Sequence, residues 1–302
     1  MYSQYAYRKA PTDLEYHYII NEVKYIEDVM DKLELAYDND LKATINLMAR
    51  YYRNYKGLEK GVSENHILEY IIRYYREKLD TELISGFTSV YKRIQHACSC
   101  QRFKDNQGYK PLRDFDGVSI TQKEIDTIKE LDTLEEQEVA FAILCFTKMY
   151  NETNRRQGRK INNLFYVDIS VIRRCIGWKK GTKNEVALTM NKLKEKGLLD
   201  VIENRDKYGD AMCKTRQPFI TNQCKFVDDG EEVLFVDCFD TLNLTWQFIL
   251  GKKTVKKCAC GRYFDANSNR QKQCRKCNPK ISEKKPKKKT SKKSLRRMGK
   301  QQ

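Results

Sequence analysis

Four cysteines near the C-terminal end constrain this 302-residue chain more than any other feature. They stand as Cys258-Ala-Cys260 and Cys274-Arg-Lys-Cys277, two tight pairs with 13 residues between them. The segment 252–279 has too little apolar content to bury a core, so something other than hydrophobic burial must order it. Four thiolates converging from two tight turns match tetrahedral Zn²⁺, which prefers sulfur and supplies folding energy directly. Gly261 lets the chain turn behind the first pair, and Tyr263 and Phe264 offer a minimal apolar platform. The surrounding lysines and arginines favour thiolate over thiol. Four sulfurs close the coordination sphere, so the expected zinc is structural rather than catalytic. Four free thiols or a redox dithiol are the alternatives, and the latter lacks the βαβ surroundings such motifs use.

The arrangement is similar to a zinc ribbon over residues 252–279, with one departure. The first pair is Cys-x-Cys where the usual knuckle is Cys-x-x-Cys. Its basic residues Arg262, Arg270, Lys272, Arg275 and Lys276 are candidate phosphate contacts. A second group, His96-Ala-Cys98-Ser-Cys100, offers three ligands with no fourth and reads as a helix end with incidental thiols. Cys145, Cys175, Cys213, Cys224 and Cys238 lie in apolar patterns and read as small core residues. Eleven cysteines without a secretory signal indicate a reducing compartment.

The charge is segregated. The whole chain carries +17. Residues 280–302 hold nine Lys, two Arg and one Glu, and residues 252–279 hold nine Lys plus Arg against one Asp. The first 251 residues are therefore close to neutral. A neutral body with a polyanion-binding end is one reading, and a solubilising tail is the other. Residues 280–302 have almost no apolar content and are expected to be a disordered basic tail with salt-sensitive affinity for phosphate. No run approaches 18 apolar residues, which argues against a transmembrane helix.

Apolar spacings of three and four predict helices over most of residues 1–100: one starting at the cap Asp13, one over 40–55, one capped by Ser63, and one over roughly 80–97. Together they predict an N-terminal helical bundle. Arg50-Tyr51-Tyr52-Arg53 recurs as Arg73-Tyr74-Tyr75-Arg76, best read as tyrosines facing a core while the arginines snorkel. Gly, Pro and Asp without a sustained period make 101–118 the candidate linker. Thr121-Gln122-Lys123-Glu124 is a capping box, and a longer helix is predicted at about 135–151.

The middle of the chain has a characteristic order. A short strand at Phe165-Tyr166-Val167 precedes a short helix capped by Asp168 and ended by Gly177. A turn leads to a helix over about 183–196 with Val186, Met190 and Leu193 on one core-facing stripe. Gly197 stops that helix, and Leu198-Leu199-Asp200-Val201-Ile202 starts a strand whose partner is placed near Arg216–Thr221. Over 119–222 this resembles a winged helix-turn-helix domain. The resemblance implies that the second helix of the pair enters the major groove and the hairpin wing touches backbone or minor groove. Lys183, Asn184, Ala187 and Asn191 then face the groove, with Lys179, Lys180 and Thr182 in the turn and Arg205, Lys207, Lys214 and Arg216 on the wing. Glu203, Asp206 and Asp210 dilute the wing's charge. Residues 223–251 are expected to form a hairpin across Asp228-Asp229-Gly230 and a connecting helix capped by Asp240 and carrying Trp246.

The expected class is thus mainly α with small β. The arrangement resembles uncharacterised proteins carried by phages and other mobile elements of Gram-positive bacteria, which combine a winged-helix-like domain with a C-terminal zinc ribbon. That resemblance implies a non-enzymatic protein binding double-stranded DNA in replication or transcription in the cytoplasm of a bacterial host. A protein adaptor for polymerase or replisome parts and an RNA-binding protein are the alternatives. No nucleophile motif, phosphate loop or His-Glu-x-x-His occurs, and the three histidines lie within residues 1–100, so no small-molecule substrate is expected.

Overall fold

A computed structural model describes residues 7–9, 16–80, 86–100, 112–165, 167–178, 183–204, 219–268, 270–274 and 277–278. The fold is mainly helical with four small sheets among the described residues. Strands β1 (Tyr7–Lys9) and β2 (Tyr16–Tyr18) pair antiparallel. Helix α1 (Glu22–Asp31) starts at Asn21, whose side chain accepts from the Lys24 amide. A helix reaching back to Asp13 is therefore wrong: the Tyr-His-Tyr run is extended, and Asp13 lies outside the described residues. The Tyr18 ring sets this outcome, because it packs edge-on to Phe146 and stacks on Phe239 while its amide donates to Asp240.

Four more helical pieces complete the N-terminal bundle: α2 (Ala36–Asn39), α3 (Leu41–Arg50), α4 (Lys60–Leu79) and α5 (Phe87–Cys100). A π-helical turn at Tyr51–Tyr55 extends α3. Ile26, Ile45, Met48, Ile67, Ile71 and Ile94 are fully buried in its core. Tyr51, Tyr52, Tyr74 and Tyr75 pack on that core, which accounts for the repeated Arg-Tyr-Tyr-Arg run. Ser63 is not the cap of α4; it is buried in the first turn and its hydroxyl donates to the Glu59 carbonyl.

Residues 112–118 are not a free linker. Leu112, Phe115 and Val118 are buried, and the Glu22 and Val23 amides donate to the Arg113 carbonyl at 2.9 and 3.2 Å. Arg113 is itself buried, giving its guanidinium to the carbonyls of Ile19 and Ile20. Aperiodic composition marks irregular backbone, but it does not mark exposure. The remaining linker residues, 101–111, lie outside the described residues.

Strand β3 (Val118–Thr121) feeds α6 (Gln122–Lys129) through the expected capping box, with Thr121 and Glu124 each satisfying the other's backbone donor. Helix α7 (Leu134–Arg156) is the axis of the second core. Its residues Val139–Phe146 are completely buried, as a helix apolar on all sides must be. Around it lie β4 (Leu164–Phe165), α8 (Ile169–Cys175), α9 (Lys183–Glu195), β5 (Leu199–Asn204) and β6 (Phe219–Cys224). The last strand runs past the predicted end at Thr221 to Cys224, and 216–218 lie outside the described residues. These three strands form one antiparallel sheet in the order β4-β6-β5. The described elements of this core thus run in the order α7, β4, α8, α9, β5 and β6.

Strand β7 (Glu232–Val236) does not fold back on residues 225–229 as predicted. It pairs with β3, aligning Val236 with Val118 and Leu234 with Ile120. Asp228-Asp229-Gly230 still turns, with the Gly230 amide donating to Asp228, but the turn serves a long-range strand pair. Helix α10 (Leu242–Ile249) buries Trp246 completely against α7. Its cap is Thr241, without a side-chain bond, and not Asp240, which instead accepts from Tyr18 and Arg262. Strands β8 (Val255–Lys257) and β9 (Tyr263–Asp265) form the final hairpin.

Candidate nucleic-acid interface and metal centre

The helix pair is built from local signals. Asp168 begins α8 by accepting from the Ser170 amide at 2.6 Å. Val186 and Leu193 of α9 are fully buried and Met190 nearly so, which seats one face of α9 on the α7 core. Gly197, at φ +73°, ends α9 in the left-handed conformation. The Leu198 amide then reaches back to the Leu193 carbonyl at 2.9 Å, and the chain enters β5 at buried Leu199.

Polar ties from outside the pair fix its orientation. The Trp178 indole donates to Glu138 of α7 at 2.9 Å, and the second oxygen of that buried carboxylate accepts from Gln247 of α10 at 2.8 Å. The Trp246 indole donates to Gln137 at 3.1 Å. At the far end of α9, Lys196 reaches Asp132 at 2.6 Å and Glu136 at 2.7 Å. Lys192 lies 3.8 Å from Glu136. Lys196 thus ties the chain just past α9 to the protein, while Lys192 approaches Glu136 with its side chain still largely exposed.

The opposite face of α9 is open. Asn184 and Asn191 are exposed and Ala187 is half-buried. Neither asparagine side chain has a hydrogen-bond partner among the described residues. Between them stands Leu188, 62% exposed, the most exposed large apolar residue among those described. Sequence reading passed it over, although its signal is visible: it is the one large apolar residue of the helix off the Val186/Met190/Leu193 stripe. Lys179, Lys180, Thr182, Arg205, Lys207, Lys214 and Arg216 lie outside the described residues, as does the side chain of Lys183.

The four-cysteine cluster sits at the tip of the β8–β9 hairpin. The Gly261 amide donates to the Cys258 carbonyl at 3.0 Å, and the Cys258 amide to the Arg262 carbonyl at 2.8 Å, so Cys258–Gly261 is a tight turn with Gly261 at φ +85°. Gln271 gathers the following loop. Its side-chain oxygen accepts from the Asn267 amide at 2.9 Å and its side-chain nitrogen donates to the Gln273 carbonyl at 3.0 Å. That loop returns Cys274 under the turn, where its amide donates to the Cys258 sulfur at 3.4 Å. The sulfurs of Cys258, Cys260, Cys274 and Cys277 all lie within 4.8 Å of one another, with Cys260 and Cys274 3.6 Å apart. A tetrahedral ion with metal–sulfur bonds of about 2.3 Å needs sulfurs about 3.8 Å apart, so four ligands fit.

The electrostatics fit a cation as well. Backbone donors from Cys260 and Cys274 hold the Cys258 thiol down at about 6, so it is largely thiolate at neutral pH. Hydrogen bonding to its sulfur neighbours, Cys260 first, pushes the Cys277 thiol up to about 12. Four sulfurs at this distance resist losing all their protons until a positive charge is placed among them. The His96–Cys100 group forms no comparable cluster: its sulfur lies 3.5 Å from one ring nitrogen, at an exposed helix end.

The basic residues of this region divide. Arg270 and Lys272 are exposed, while Arg275 and Lys276 lie outside the described residues, as do 281–302. Arg262 is not a surface contact. Its side chain is 14% exposed and ion-paired with buried Asp240 ahead of α10, which ties the hairpin to the body. Stacking of the Tyr263 and Phe248 rings, 4.9 Å apart, adds to the joint.

No described helix is long and apolar enough to cross a membrane. Comparison with family models, curated proteins and solved structures found no match for this chain.

Proposed function

We propose that this chain is a non-enzymatic DNA-binding protein that presents α9 to the major groove and uses a zinc-organised basic C-terminal region for phosphate affinity. The exposed face of α9 is the observation that carries this reading. A helix whose inner stripe is buried and whose outer face bears two unengaged amides suits base-edge contact, since asparagine pairs bidentately with adenine. Zinc is favoured over other metals because four thiolates select a soft tetrahedral ion with no redox demand. The sequence's resemblance to phage and mobile-element proteins supports a role in replication or transcription.

The test compares the full chain, a 1–279 truncation and a Lys183/Asn184/Asn191 triple-alanine variant on duplex DNA and on RNA across salt. The DNA reading expects the truncation to keep a duplex-sequence preference that the alanine variant loses. Affinity that resides entirely in 280–302 and shows no sequence preference would overturn it, as would a preference for RNA at matched salt. A second reading, a protein adaptor anchored to nucleic acid by its basic end, draws support from Lys192 and Lys196. Both approach acids of the same molecule, which leaves the exposed carboxylates Glu185 and Glu195 of α9 without those lysines as partners.

A further inference from the structure

Resting on that DNA reading, we infer that Asn184, Leu188 and Asn191 form a reader of A·T base pairs, in which Leu188 packs against the 5-methyl group of thymine. The three residues stand at i, i+4 and i+7, so they share one narrow stripe of α9. With a rise of 1.5 Å per residue they span about 10 Å of helix, comparable to about three base-pair steps of 3.4 Å. All three are exposed, and the two amides have no partner among the described residues. An asparagine amide offers one donor and one acceptor, the complement of the adenine N6 and N7 pattern. The only apolar feature in the major groove is the thymine methyl, which sits across the pair from that adenine edge.

Leu188 supports this occupant specifically. A leucine 62% exposed on an otherwise polar face is unfavourable in water and needs an apolar surface when the helix is engaged. The stripe itself carries no cation that would select guanine; nearby, Lys192 approaches Glu136 and Lys196 pairs with Asp132 and Glu136. Attraction to phosphate is left to the basic residues of 252–302. The division is therefore charge for affinity at one end of the chain, and amides plus one apolar side chain for choice of sequence in the middle.

The experiment uses the full chain and four 24-base-pair duplexes at elevated salt: mixed-sequence A·T, the same with every thymine replaced by deoxyuridine, mixed-sequence G·C, and G·C with 5-methylcytosine. The inference expects A·T to bind at least ~5-fold tighter than G·C, and removal of the thymine methyls to weaken binding ~4-fold or more. Leu188→Ala should bind the thymine and uracil duplexes equally, and Asn184→Ala with Asn191→Ala should lose the A·T over G·C preference. Leu188 is exposed, so its replacement leaves the fold intact, which circular dichroism checks. Duplex binding by the wild type without A·T preference, an A·T preference that persists in Asn184→Ala/Asn191→Ala, or a thymine–uracil difference that survives Leu188→Ala, overturns the inference and leaves the DNA reading standing. Equal affinity for all four duplexes and for RNA overturns both. A Leu188→Ala variant changed only in self-association makes the stripe a protein surface and overturns the inference.

Discussion

At the scale of single residues, Glu22 shows how much one buried charge organises. Its carboxylate faces the guanidiniums of Arg113 and Arg50, with Arg113 almost as inaccessible as Glu22. Burial alone would raise its pKa, but the two arginines and the Arg113 amide overcome that and hold it at about 2. Because the folded value is depressed, its contribution to stability is complete above its ordinary value of about 4.5 and disappears as pH falls toward about 2. Glu22→Gln strands two buried cations and should cost about 3–5 kcal/mol in chemical denaturation at pH 7. The loss should shrink as the wild type is acidified; an unchanged difference at pH 2.5 would refute the ion-pair account. Glu138 plays a neutral-partner version of the same role, accepting from Trp178 and Gln247. Glu138→Ala should cost about 1–3 kcal/mol and shift tryptophan emission, since it frees the Trp178 indole just past α8. Neither residue could be singled out from sequence, because each partner is far along the chain and an isolated Glu in an amphipathic segment looks solvated.

Among the elements, what was legible followed local rules and what was missed followed distant ones. The capping box at Thr121, the cap at Asp168, the buried stripe of α9 and the stop at Gly197 each depend on residues within one or two turns of each other, and all are present. The β3–β7 pair joins residues over 110 apart in sequence, so a nearby Asp-Gly turn outweighed it as a signal. The start of α1 moved to Asn21 because Tyr18 is claimed by Phe146 and Phe239, contacts that periodicity cannot see. The same holds for Arg262, which composition counts as surface charge and Asp240 draws inward. Gly197 provides a clean test of a local rule. A Cβ there meets nothing within 4 Å, so Gly197→Ala isolates the cost of φ +73°. It should destabilise by about 1–2 kcal/mol with no change in the native α9 contacts. A neutral result in thermal melts would mean that the α9–β5 boundary does not depend on that conformation.

For the whole molecule, the described residues divide into two cores and a small unit around four cysteines. The N-terminal bundle and the α7 core are joined through Arg113 and Glu22, and the C-terminal hairpin is joined to α10 through Arg262 and Asp240. The hairpin buries only Cys258, Phe264 and Cys274 as its own apolar cluster, too little to hold it without a metal. Chelation should release one metal ion per chain, make four thiols newly reactive and open residues 252–278 to protease while α7 stays protected. Full protection of that segment in metal-free protein would contradict the assignment. The central claim, that a nearly neutral body reads duplex DNA through α9 while the basic end supplies affinity, is tested most directly by one titration series. Duplex affinity of the full chain and of Asn184→Ala/Asn191→Ala is measured against salt concentration. The account predicts parallel lines of log affinity against log salt, since the phosphate contacts are unchanged, with the variant displaced to weaker binding by about 5-fold or more. Superimposed lines would contradict it, because α9 would then contribute nothing to the DNA complex.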